Sequence, residues 1–130
     1  VNAEVLVSLI SQGVVPVMAP LTHDGEGNML NTNADTIAGE TAKALAEAFD
    51  VTLIYCFEKK GVLRDADDDE SVIPVITPEL FQKYVAEGII QGGMIPKLEN
   101  SFSAVEAGVS QVVITLASAI DGKSGTIIKK

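Results

Sequence analysis

Apolar residues recur at intervals of three and four positions in four parts of the chain, which predicts four amphipathic helices. These parts cover roughly residues 5–10, 34–49, 80–85 and 95–105. Gly13 and Gly108 follow the first and the last of them, where a left-handed C-cap is favoured. Asn33 and Thr77 precede the second and the third as N-caps. The apolar period therefore predicts the helices, and the capping residues mark where they begin and end.

Apolar runs between the helices predict strands. The run 51–57 is nearly continuous, as expected for a central parallel strand that is covered on both faces. The run 14–19 predicts a mostly apolar strand, in which Pro16 favours a strand end or a sheet edge because it cannot donate a ladder hydrogen bond. The turn-forming segment 23–28 predicts a small hairpin that leads to residues 29–30. Two further strands, separated by a tight turn, are predicted at residues 111–116 and 126–128.

The alternation of strands and helices predicts an α/β fold with a largely parallel sheet flanked by helices. Functional sites in such sheets lie at the carboxyl ends of the strands, where the next helices begin. The helix starts of this chain are therefore the first places to search for chemistry.

Composition and charge exclude several classes of protein. With 47% apolar residues, the 130-residue chain fits a single domain. Eighteen acidic residues against nine basic ones give a net charge of -9, which argues against a nucleic-acid partner. No apolar run approaches the roughly 20 residues of a membrane span, so we expect a soluble cytoplasmic protein. One cysteine, Cys56, excludes a disulfide framework within the chain and indicates a reducing compartment. Because Val1 enters a helical pattern almost at once, we expect a piece of a longer polypeptide.

Three local features imitate functional motifs without completing them. The acidic stretch 64–71 fails the calcium-loop pattern, because Glu70 stands where a glycine is required, and it is better interpreted as a solvated excursion. The run 122–124 imitates the end of a phosphate loop, but Ala117 stands where the earlier glycine belongs. His23 has no nucleophile pattern around it and is expected to be a solvated loop residue.

Two helix starts carry polar residues that fit a site, and the second of them has what an anion site needs. At the first, Asn31 and Asp35 flank the capping position and can face one crevice. At the second, Gly92 and Gly93 allow backbone amides to approach a phosphate, and Lys97 follows in the first helical turn. Each start alone also fits a purely structural interpretation: a capped helix, or a flexible loop followed by a surface lysine. Their joint occurrence with a buried strand between them favours a site.

The segments 31–35, 53–63, 92–98 and 125–127 resemble, in order and spacing, the C-terminal half of the acetylglutamate kinases, a branch of the amino acid kinase family. The resemblance covers nearly the whole chain. It implies a three-layer fold in which residues 1–130 form the nucleotide-binding half. It also implies that the N-terminal half, which holds the acyl amino acid, lies outside this sequence. The run 57–60 departs from the family, where many members have serine or threonine and aspartate followed by small or apolar residues.

The resemblance also implies roles for individual residues. Asn31 would hold the amino-acid substrate, Asp35 would organise the catalytic lysines, and Lys97 would neutralise the transferring phosphoryl group. ATP would bring Mg²⁺ with it, so that no metal ligand is expected in this chain. The residues implied to border the nucleotide are Glu58, Lys59, Lys60, Gly61, Val62, Leu63, Ile89, Ile90, Gln91, Gly93 and Met94.

The activity implied is ATP-dependent phosphorylation of the side-chain carboxylate of N-acetyl-L-glutamate, or of another N-acylglutamate such as N-succinylglutamate, in arginine biosynthesis. The 130 residues alone would be inactive, and the full-length protein would form a dimer or a larger homo-oligomer. Two alternatives stay open. One is another phosphotransferase of the family, acting on carbamate, aspartate, uridylate or glutamate; the other is a non-catalytic nucleotide-binding or regulatory module.

Overall fold

The computed structural model describes residues Val1 to Lys130 and contains four helices and six strands. In chain order these are α1 (Ala3–Ser11), β1 (Leu21–His23), β2 (Met29–Asn31), α2 (Ala34–Leu45), β3 (Thr52–Phe57), β4 (Val75–Ile76), α3 (Pro78–Ala86), α4 (Met94–Glu106), β5 (Gln111–Leu116) and β6 (Thr126–Ile128). The four predicted helices are confirmed. Asn33 and Thr77 cap α2 and α3 as predicted, each side chain accepting a backbone N–H from the first turn.

The larger sheet has four strands in the order β3-β5-β6-β4. β3 and β5 pair in parallel, with Thr52 opposite Gln111 and Phe57 opposite Leu116. β4 and β6 are also parallel, whereas β5 and β6 are antiparallel. The predicted α/β class with a mostly parallel sheet is therefore confirmed, as are the two closing strands.

The prediction of a central strand at 51–57 is wrong in its position within the sheet. β3 lies at an edge and pairs only with β5. Its residues alternate, with Leu53 and Tyr55 buried and Cys56 exposed, because only one of its faces is covered. The strand that is buried on both faces is β5, in which Val112, Val113 and Ile114 are fully enclosed.

The prediction of a strand at 14–19 is also wrong. This segment has no regular structure, and Val15 and Val17 are 83% and 93% exposed. Pro16 and Pro20 have no N–H to donate, and no neighbouring strand is present to pair with the segment. The strand forms just afterwards as β1, which pairs with β2 and so confirms the predicted hairpin.

α2, α3 and α4 bury their apolar faces against one another and against the sheet, whereas α1 buries only Leu6. α2 packs on α4 and β3, and α4 contacts α3, β5 and β6. α2 ends at Leu45, earlier than predicted, and leaves Phe49 partly exposed.

No helix combines the length and the apolar character that a membrane crossing requires. The core is formed by Ala42, Leu53, Tyr55, Val62, Ile73, Ile76, Tyr84, Ile90, Leu98, Ala104, Val105, Val109, Val112, Ile114 and Ile128.

A buried hydroxyl ties β6 to the segment that follows β3. Thr126 Oγ1 accepts the N–H of Val62 at 2.8 Å and donates to the carbonyl oxygen of Ile73 at 2.7 Å. Gly61 lies so close that a Cβ there would come within 2.8 Å of the same oxygen. The glycine is therefore needed for close packing, and Thr126 fixes the backbone of residues 61–63.

A second contact ties β3 to the start of α2. The Tyr55 hydroxyl donates to the carbonyl oxygen of Asp35 at 3.3 Å. Burial raises the pKa of Tyr55 to about 12, and the negative charge of Asp35 adds to the shift. The neutral phenol is thus part of the contact that positions Asp35.

We predict that Thr126→Val destabilises the protein by about 2–4 kcal/mol, because two buried backbone groups lose their partner. Thr126→Ser is the matched control. It keeps the hydroxyl and loses one methyl group, at a cost of about 1 kcal/mol. Urea unfolding measures both free energies. Equal losses in the two variants would contradict the role of the hydroxyl.

We also predict that the free energy of unfolding contains a contribution from Tyr55 that is complete below pH 10 and is lost as the pH rises towards about 12. The sign follows because the unfolded tyrosine releases its proton near pH 10.0, before the folded one does. In Tyr55→Phe, the free energy of unfolding should fall less steeply with pH between about pH 9 and pH 11.5, as measured by urea unfolding. The same slope in both proteins would contradict the raised pKa.

Candidate active site

The structure brings Asp35 and Lys97 together although they are 62 positions apart in the sequence. Asp35 lies in the first turn of α2, and Lys97 is the fourth residue of α4. The two helices pack together, and Lys97 Nζ donates to Asp35 Oδ2 at 2.6 Å. The side chains are 15% and 34% exposed, so the ion pair is largely screened from water.

Two aromatic rings of β3 also face the ammonium group. Lys97 Nζ is 4.1 Å from the ring centroid of Phe57 and 5.1 Å from that of Tyr55. The two residues are two positions apart on one strand, and their side chains therefore point to the same face. Both distances allow cation–π attraction. The ammonium is thus held by one carboxylate and two rings.

The N-terminus of α4 offers fewer backbone donors than the sequence predicts. The N–H groups of Met94 and Ile95 already bond to preceding carbonyl oxygens, and Pro96 has no N–H. The N–H groups of Gly92 and Gly93 donate no backbone hydrogen bond, although the Gly92 carbonyl accepts that of Ile95, and no atom beyond the neighbouring residues lies within 4 Å of where their Cβ atoms would be. The open donors at this helix start are therefore those of the two glycines.

A cleft of about 1170 Å³ lies beside this pair, at the carboxyl end of β3. Its walls are mainly apolar, and its volume lies just above the roughly 300–1,000 Å³ of typical small-molecule sites. The predicted nucleotide residues that line it are Glu58, Lys59, Gly61, Val62, Leu63, Ile89, Ile90, Gln91 and Met94. Lys60 and Gly93 do not line it.

The acidic stretch folds back beside the lysines that follow β3. Lys59 Nζ lies 2.7 Å from Asp69 Oδ1, and Lys60 pairs with Glu70. The hydrogen bonds to these carboxylates raise the pKa of both lysines. The stretch is exposed, as predicted, but its ion pairs were not foreseen. No group of three or more His, Cys, Asp or Glu side chains is arranged to hold a metal ion.

Several residues of the cleft were missed by the sequence reasoning. Cys56 and Phe57 line it from the end of β3, and Arg64 lines it from the loop that follows. Arg64 is held by Tyr84: its Nη2 donates to the phenol oxygen at 3.1 Å, and its guanidinium lies 5.2 Å from the ring centroid. The alternation of β3 could have indicated that Phe57 shares a face with Tyr55. Nothing local indicates the contact of Arg64.

Asn31 belongs to the hairpin and not to the two packed helices. It is exposed at the end of β2, where it pairs with Leu21 across the hairpin. It lies outside the cleft lining and makes no side-chain hydrogen bond, so its predicted role as a substrate ligand stays a prediction. His23 is an exposed loop residue, as expected, and its Nδ1 accepts the N–H of Gly25 at 3.1 Å.

Comparison with known proteins places this geometry in a family. The chain is 81% identical to the acetylglutamate kinase of Phocaeicola vulgatus over 130 residues, which are 100% of this chain and 51% of that protein. The solved structure of smu.665 from Streptococcus mutans is 36% identical, with a TM-score of 0.78 over 99% of this chain and 48% of that one. An N-acetylglutamate synthase from Neisseria gonorrhoeae shares the fold at 20% identity, with a TM-score of 0.82 over 99% of this chain and 31% of that one.

The chain thus spans about half the length of the curated relatives that it matches. The family model described as the amino acid kinase family matches residues 1–116. Since this match covers most of the chain, the fold and the sequence together show that the chain belongs to the amino acid kinase family.

Proposed function

We propose that the full-length protein containing this chain phosphorylates the side-chain carboxylate of an N-acylglutamate, N-acetyl-L-glutamate in the first place, with ATP. The observation that carries this proposal is the Lys97–Asp35 pair at 2.6 Å beside the cleft. Similarity to the acetylglutamate kinase of Phocaeicola vulgatus supports the choice of acceptor. Residues 1–130 would form the nucleotide-binding half, and the remaining sequence would hold the acyl amino acid. The reaction would belong to cytoplasmic arginine biosynthesis, in a homo-oligomeric enzyme.

The chemistry needs no general base. A glutamate side chain is already ionised at neutral pH, so its oxygen attacks the γ-phosphorus directly. The bond from phosphorus to the bridging oxygen of ADP breaks, and an acyl phosphate forms. Catalysis then depends on alignment and on compensation of the charge that develops on the transferring group.

Lys97 is suited to that compensation. Its ammonium has three N–H donors, and the hydrogen bond to Asp35 uses one of them. The others can reach phosphoryl oxygens while the carboxylate holds the side chain in place. Asp35 is therefore an organiser of the lysine, and Asn31 is proposed to bind the amino-acid substrate.

The residues around the cleft fit a nucleotide. Apolar side chains such as Val62, Ile89 and Ile90 can enclose a base, while Lys59 and Arg64 bring positive charge to the lining. Mg²⁺ binds mainly through nucleotide phosphates and needs no cluster of protein carboxylates. When bound there, it would neutralise part of the phosphate charge.

We predict that Lys97→Ala in the full-length protein lowers kcat by about 100-fold or more with N-acetyl-L-glutamate, the scale for the loss of one charge-stabilising donor. The matched control is Lys83→Ala, which removes an exposed lysine of α3 outside the cleft and should leave kcat unchanged. A coupled assay of ADP release measures both. Unchanged turnover in Lys97→Ala would contradict the assigned role.

A further inference from the structure

Phe57 belongs to two parts of the site at once. It lines the cleft, and its ring centroid lies 4.1 Å from Lys97 Nζ. It is the last residue of β3, so its backbone is fixed by the pairing with Leu116. The ring thus borders the cleft and contacts the ammonium group from a paired strand.

The ring can hold a cation without neutralising it. The face of an aromatic ring attracts an ammonium through its quadrupole, yet it carries no formal charge. A second carboxylate in this position would hold Lys97 as firmly but would oppose its interaction with a phosphoryl group. Since the Lys97 side chain is only 15% exposed, water competes little with the ring.

We propose that Phe57 is a positioning residue for Lys97, holding the ammonium by cation–π attraction so that its free donors face the transferring phosphoryl group. This inference rests on the proposed kinase function, and it adds a residue to which the sequence comparison gave no role. Phe57 acts through Lys97 and does not itself contact the reacting atoms.

Phe57 is a better test position than Tyr55. The ring of Tyr55 is farther from the ammonium, at 5.1 Å, and its hydroxyl is engaged with the backbone of Asp35. A change at Tyr55 would therefore move α2 as well as the lysine. Phe57 is half-buried at the strand end, and it makes no side-chain hydrogen bond whose loss would obscure the result.

The experiment replaces Phe57 in the full-length protein by 4-fluoro-, 3,5-difluoro- and 3,4,5-trifluorophenylalanine. These rings are close to phenylalanine in size, while their quadrupole weakens at each step. We expect kcat to fall stepwise along the series, by a total of about 3- to 30-fold, with a smaller change in the KM for ATP. In Phe57→Leu, kcat should fall by about as much as over the whole fluorinated series. Phe57→Trp should retain most of the activity.

The control is Phe102→Leu, which removes a ring of similar burial from the pair that Phe102 forms with Phe81, at a centroid distance of 5.5 Å. It should change stability without changing kcat. A readout independent of turnover is the proton NMR shift of the Lys97 ε-methylene, which the ring face should move upfield. This upfield shift should disappear in Phe57→Leu.

The outcomes separate the two proposals. A flat kcat across the fluorinated series, with Lys97→Ala impaired, would overturn the role of Phe57 and leave the kinase proposal standing. Absence of the upfield shift in the unsubstituted protein would overturn the contact itself. Absence of turnover in the unsubstituted protein would overturn the kinase proposal, and with it any catalytic role for the positioned lysine.

Discussion

The ion pair between Lys97 and Asp35 is the interaction on which the site depends. It joins the starts of two packed helices that are far apart in sequence. The placement of Asp35 agrees with the dipole of α2, since an anion is favoured at a helix N-terminus. The placement of Lys97 opposes the dipole of α4, because a cation is disfavoured there. Asp35 and the two rings of β3 compensate for that cost.

The acidic charge of the chain makes the cations near the cleft important for any anionic ligand. The net charge is -9, so an anionic ligand meets a repulsive field over most of the surface. Local cations must overcome it, and Lys59, Arg64 and Lys97 are arranged along one cleft and its edge. Asp69 neutralises Lys59 in the structure described, at a distance of 2.7 Å. Of the two cations in the cleft lining, Lys59 and Arg64, only Arg64 makes no ion pair, and Tyr84 holds it in place.

Local signals predicted the helices well, and long-range contacts account for the errors. Capping by Asn33 and Thr77 depends on the first turn alone, so sequence is sufficient to detect it. The segment 14–19 reads as a strand, but pairing requires a neighbour that no local pattern reveals. β4 has only two residues, Val75 and Ile76, too few for a period to be visible. The pair of Asp35 and Lys97 was suggested by two helix starts and by the family resemblance, whereas the contacts of Phe57 and Arg64 exist only after folding.

We propose that the positioned lysine beside the cleft serves transfer of a phosphoryl group to a carboxylate. The most direct measurement is to incubate the full-length protein with ATP, Mg²⁺ and N-acetyl-L-glutamate and to trap the product with hydroxylamine. An acyl hydroxamate should form only when all three are present. ATP turnover without hydroxamate, for N-acetyl-L-glutamate and N-succinylglutamate alike, would contradict transfer to the carboxylate.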